Sequence, residues 1–250
     1  MYILYVIDNP IVGGDDMSYL EKSNFDEFIT DEKIFNPVEP HIACAFLIDT
    51  SDAMKGDVIE SLNKSINLFK EQTSLDEIAQ QHIDIAIIEF NDSARVVQDF
   101  TPLPLLKPVT LVAHGCAAMG EGINLAIDKV KERNRFYANM GTPYFKPWIF
   151  MITGSEPSDN ISSARQRIIG EESKDDHGKL KFWAVGVLGY SKETLQSLTK
   201  CCIALDEANF SGIFDWMSAS FMGYPFKRHD YDMPQLPYLP TNAHIVPVDW

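Results

Sequence analysis

Residues 41–54 read HIACAFLIDTSDAM. From Ile42 to Ile48 every position is apolar. Periodicity alone does not separate a buried strand from a buried helix, but the run is short and is followed by Thr50-Ser51-Asp52. Length and flanks therefore predict a strand covered on both faces and ending at Asp49. Beyond Gly56 the pattern changes: Val58, Leu62, Ile66 and Phe69 recur at spacings of three and four, one face of an amphipathic helix lying over that strand.

The same alternation repeats downstream. HIDIAIIEF (82–90), WIFMIT (148–153), KFWAVGVL (181–188) and CCIALD (201–206) read as further buried strands. Asn91-Asp92-Ser93 turns the chain into ARVVQDF as a hairpin partner of 82–90. A short apolar piece, TLVA, follows the proline-marked loop TPLPLLKP. Helices are expected with Ile123, Ile127 and Val130 on one face, over about 161–171 and 191–198, and as a closing helix in FSGIFDWMSASFM. Strands that alternate with helices predict an α/β fold: a doubly wound, mostly parallel, Rossmann-like sheet with helices on both faces and one antiparallel edge hairpin. The expected organisation is a lead-in over 1–40, holding an edge strand near Tyr2–Ile7, a domain over 41–222 and a proline-rich tail over 223–250.

In such sheets ligands bind beyond the carboxyl ends of the strands. The residues to weigh are therefore Asp49 to Met54, Gly115 to Gly120 and Gly154 to Asp159. In these loops the chain resembles the von Willebrand factor A (VWA) family, and within it the bacterial VWA proteins found near tellurium-resistance genes. The family's Asp-x-Ser-x-Ser corresponds to Asp49-Thr50-Ser51-Asp52-Ala53, its Gly-Gly-Thr-x-Leu-Gly to Gly115-Cys116-Ala117-Ala118-Met119-Gly120, and its Thr-Asp-Gly-x-Pro to Thr153-Gly154-Ser155-Glu156-Pro157. Phe210, Phe214, Trp216, Ser218 and Ser220 also resemble the family's last helix.

The resemblance implies a metal-ion-dependent adhesion site at these loops, where a divalent cation is completed by a partner's carboxylate. Asp49 and Ser51 are kept, but Ala53, Ala117 and Gly154 stand where the family has serine, threonine and aspartate. Mg²⁺ demands near-octahedral oxygen ligation. The expectation is a vestigial site at Asp49 and Ser51 with no bound cation and no other cofactor, where those two residues hydrogen-bond the loop backbones. Rescue of a Mg²⁺ site by Asp52, Ser155 or Glu156 is the alternative. The expected partner-binding set is Asp49, Ser51, Asp52, Met54, Ala117, Met119, Gly154, Ser155 and Glu156. Met54 and Met119 serve there as adaptable contacts unless they point inward as core filler.

No catalytic residue is assigned. An aspartyl-phosphate reading of Asp49 lacks the second aspartate, since that position is Ser51. The turn at Gly115-Cys116-Ala117-Ala118 lacks the glycine of a nucleophile elbow, and no phosphate-binding glycine pattern occurs in a strand-to-helix turn. His114 has no activating partner in the sequence. An unrecognised hydrolase using Asp49 or Cys116 is kept as a further alternative.

A net charge of −15 argues against nucleic acid as a partner. Cys44, Cys116, Cys201 and Cys202 show no zinc or redox spacing, no apolar run is long enough to span a bilayer, and the N-terminus lacks the features of a signal peptide. The expected setting is the cytoplasm, without membrane contact. The expected partner is another protein, which the resemblance implies to be a protein kinase or a metal-dependent phosphatase encoded nearby. In the tail, the prolines of MPQLPYLP (233–240) exclude helix. That segment suits either a groove on another protein or the surface of its own domain.

Overall fold

The computed structural model describes residues 35–73, 77–173, 180–222 and 236–247. The expected edge strand near Tyr2–Ile7 and the first part of the tail lie outside the described residues. The elements run β1 (Ile42–Asp49), α1 (Asp57–Thr73), α2 (Glu77–His82), β2 (Ile83–Phe90) and β3 (Ala94–Pro102). They continue as α3 (Met119–Met140), β4 (Trp148–Thr153), α4 (Ser162–Glu172), β5 (Lys181–Gly186), α5 (Lys192–Leu198), β6 (Cys202–Leu205), α6 (Ser211–Met222) and β7 (Ala243–Ile245). The sheet order is β3-β2-β1-β4-β5-β6-β7. The five central strands are parallel, and β3 and β7 close the two edges antiparallel.

β1 lies at the centre of the sheet and every one of its residues is buried. Cys44, Phe46 and Ile48 point into one hydrophobic cluster, while Ala43, Ala45 and Leu47 point into the other. Successive side chains of a strand face opposite sides, so a strand covered on both sides is apolar throughout. On the first face the rings of Phe46, Phe69 and Phe214 meet at 5.4–5.5 Å, joining β1 to α1 and α6. On the second, Ile123, Ile127 and Val130 of α3 are buried as their spacing predicts.

TLVA joins no strand. Its backbone is held by two amides one turn apart on α1: Asn63 and Asn67 each donate to and accept from the main chain, at Leu111 and Val109. Two side chains thus do for this segment what a neighbouring strand would do.

At the amino-terminal edge of the sheet Asp84 of β2 is fully buried. It accepts from Arg133 Nε at 3.2 Å and Nη2 at 2.8 Å, and from the Tyr137 hydroxyl; His41 Nδ1 lies 3.4 Å away. The guanidinium lies over the ring of Phe136 at 4.4 Å. Burial opposes ionisation of Asp84, yet Arg133, with His41 and Tyr137, holds its carboxyl far below the usual range. This group ties α3 across β2.

The sequence reading predicts one antiparallel edge, and β7 adds a second. Ile203, Ala204 and Leu205 of β6 pair with Ile245, His244 and Ala243. Leu236, Leu239 and Ala243 pack against one hydrophobic cluster, and Val246 is buried in the other. Of the two readings of the tail, these residues follow the one in which it lies on its own domain.

Candidate functional site: the strand-end loops

Asp49, the last residue of β1, is completely buried and surrounded by donors. Oδ1 accepts from Ser51 N at 2.8 Å. Oδ2 accepts from Thr153 Oγ1 at 2.7 Å, from Gly154 N at 3.2 Å and from Ser155 Oγ. Ser51 Oγ in turn lies 3.4 Å from Ser155 Oγ. The first and third loops are thus joined by one carboxylate and the hydroxyls about it, an arrangement suited to a buried charge because each oxygen meets charge-assisted donors.

The second loop is pinned to both. His114 N donates to Thr50 O at 2.8 Å and Asp52 N to Gly115 O at 2.9 Å. Ser158 N donates to Ala117 O at 2.8 Å, and Ala117 N to Ser158 Oγ at 3.2 Å. Asp92, after β2, accepts from Cys116 N at 2.8 Å. Gly115 permits this approach: its φ of +74° suits glycine, and a Cβ there would fall 2.3 Å from Asp92 Oδ2. Asp159 caps α3, accepting from Gly120 N and Glu121 N at 2.9 Å each. Asn91 bridges Thr50 Oγ1 and His114 Nε2.

All three loops picked out by sequence therefore meet at one end of the sheet. Of the two readings of Met54 and Met119 the inward one holds, and the exposure expected of Ala117 is corrected. Met54 and Met119 are fully buried, and Ala117 is 2% exposed. Gly154, Asp49 and Ser51 are buried as well. None of these six presents a contact surface. The reason for Met54 is packing: its sulfur fills the space beside Gly154, which lacks a side chain of its own. Met119 starts α3 with its side chain in the hydrophobic cluster beneath.

The residues that face solvent include Asp52, Ala53, Lys55, His114, Cys116 and Glu156, with Ser155 half-buried among them. Lys55, His114 and Cys116 were not in the expected binding set. Their exposure depends on which way each loop turns, and no local pattern encodes that. Asp52 is paired with Lys55 at 2.7 Å, and that hydrogen bond lowers its pKa. Positions 53, 117 and 154 carry no side-chain oxygen. The described residues contain no group of three or more His, Cys, Asp or Glu placed to hold a metal ion.

The chain matches no protein-family model and no curated protein. It does match solved structures in fold. A von Willebrand factor type A protein from Catenulispora acidiphila aligns with TM-score 0.53 at 15% identity, over 74% of this chain and 43% of that one. Proximal thread matrix protein 1 from the mussel byssus, solved with a zinc-occupied MIDAS motif, aligns with TM-score 0.51 at 15% identity, over 72% of this chain and 45% of that one. The PilB minor pilin from Streptococcus sanguinis aligns with TM-score 0.50 at 14% identity, over 72% and 61%. The chain spans less than two thirds of the length of each. Its fold is of the von Willebrand factor A type, and the strand-end loops occupy the edge at which ligands meet such sheets. Among the described residues no helix is long and apolar enough to cross a membrane.

Proposed function

We propose that this chain is a non-catalytic protein-recognition module that engages its partner through the exposed rim of the strand-end loops, without a bridging cation. The observation that carries the reading is Asp49: four protein donors fill its carboxylate, and it is buried together with Ser51. An adhesion-type cation needs open coordination positions and several oxygen ligands in fixed geometry. One sealed carboxylate with hydroxyls that donate to it suits an internal cap better than such a shell. The rim then offers Asp52, Lys55, His114, Cys116 and Glu156 as polar contacts around Ala53. The resemblance to VWA proteins near tellurium-resistance genes directs the search for the partner to a kinase or metal-dependent phosphatase, in the cytoplasm.

The test joins calorimetric titration of Mg²⁺ and Mn²⁺ with capture of the partner in the presence and absence of chelator. The expected result is no cation binding, capture unchanged by chelator, and capture lost on Asp52→Lys with Glu156→Lys. Micromolar Mg²⁺ binding that vanishes in Asp49→Ala, or capture that chelator abolishes, overturns the reading.

A further inference from the structure

A different surface carries a second site. The first described residues of the tail, Leu236-Pro237-Tyr238-Leu239-Pro240, lie against α6. Trp216 Nε1 donates to the carbonyl of Pro237 at 2.9 Å. Leu236 and Leu239, three residues apart, turn to the hydrophobic cluster, while Tyr238 between them is fully exposed. A three-residue repeat is the period of polyproline II, a conformation that leaves backbone carbonyls free to accept. Pro240 rests on Gly212, one helical turn before Trp216, so closely that a Cβ on Gly212 would fall 2.7 Å from the proline ring. Trp183 meets Trp216 edge-on at 5.0 Å, and its buried Nε1–H has no acceptor among the described residues.

An aromatic wall with one indole donor, a glycine notch for a proline ring and an extended Leu-Pro ligand together make a peptide-recognition mode. The ligand's own leucines and prolines remain half-exposed on the core. We propose that the surface of α6 around Trp216 and Gly212 is a recognition groove for an extended Leu-Pro-x-Leu-Pro segment of a partner protein, and that residues 236–240 are its competitor in cis. Tethering gives the cis segment an effective concentration of the order of millimolar, so a partner binds only when the tail yields. This site is independent of the strand-end rim, and neither reading depends on the other.

The test uses the full chain carrying Leu236→Asp and Leu239→Asp, which weakens the tail and leaves the groove intact. The probe is a fluorescent peptide with the sequence of residues 233–247. The variant is expected to bind the peptide at least about tenfold more tightly than the unchanged chain, because the tethered competitor is gone. Adding Trp216→Phe is expected to weaken that binding about fivefold through loss of one hydrogen bond. An unlabelled Leu-Pro-Ala-Leu-Pro peptide competes, and its proline-to-alanine form does not. Equal binding by both chains, or binding indifferent to Trp216→Phe, overturns the proposal. If the variant does not fold, a chain cut at a protease site placed within residues 223–235 decides the matter. Exchange of its tail for labelled peptide on a body that stays folded supports the groove. No exchange, melting of the body on release, or a doubled mass with tails traded between copies overturns it.

Discussion

The sulfur of Met54 and the α-carbon of Gly154 share one packing site: a Cβ built on Gly154 falls 3.0 Å from Met54 Sδ and 3.3 Å from the carbonyl of Leu188. The first and third loops are thus fitted to each other by size as well as by hydrogen bonds. Replacing Gly154 by the aspartate that VWA domains carry there forces a charged side chain into that contact.

Gly154→Asp is therefore expected to lower stability by roughly 1–3 kcal/mol, the usual cost of overpacking. Met54→Ala in the same chain is expected to recover part of the loss. A double-mutant cycle measured by urea unfolding checks the coupling, and additive effects would show that the two residues do not compete for space.

Asp49→Ala leaves buried donors without their acceptor, and a loss of about 3 kcal/mol or more is expected, since hydrogen bonds to charged groups contribute about 1.5–3 kcal/mol each. The loss is expected to be equal in Mg²⁺ and in chelator. Melting curves in both buffers make the comparison.

The Asp84 cluster predicts an acid dependence. The folded carboxyl ionises far more readily than an ordinary aspartate of value 3.8, so its contribution is complete above that value and declines as pH falls below it. Asp84→Asn is expected to flatten the fall in urea midpoint between neutral pH and about pH 3. Arg133→Met, which strands the carboxylate, is expected to cost roughly 3–5 kcal/mol at neutral pH.

Gly212→Ala improves the helix propensity of α6 but collides with Pro240. It is expected to free the tail from Trp216 with α6 intact, giving a changed Trp fluorescence and faster proteolysis after Met222 at unchanged helical circular dichroism.

Thiol reactivity is expected to follow burial. Cys116 is exposed, whereas burial raises the Cys44 thiol well above its usual value and pushes Cys202 up to about 12. A thiol reagent at neutral pH should modify Cys116 at once, and Cys44 and Cys202 only on unfolding.

The central strands were legible because burial on both faces leaves an unbroken apolar run, and the covering faces of α1 and α3 because helices repeat every 3.6 residues. Asp49, Ser51 and the third loop were legible as strand-end positions, whereas the second loop follows TLVA, which joins no strand. β7 was not: three residues pairing with β6 across an intervening α6 leave no periodic signal. The burial of Met54 was equally hidden, because it depends on the missing side chain of Gly154 a hundred positions away.

The sequence by itself determined the α/β class, the central strands, the sheet edge that carries the loops, and the absence of side-chain oxygens at positions 53, 117 and 154. These follow from local pattern and residue chemistry. Only the tertiary structure decided that Ser155 and Thr153 close over Asp49, that Met54 and Met119 turn inward, that Arg133 neutralises Asp84, and that the tail returns to Trp216. Each depends on which distant side chain arrives opposite, and that is fixed by packing between segments rather than by spacing along the chain.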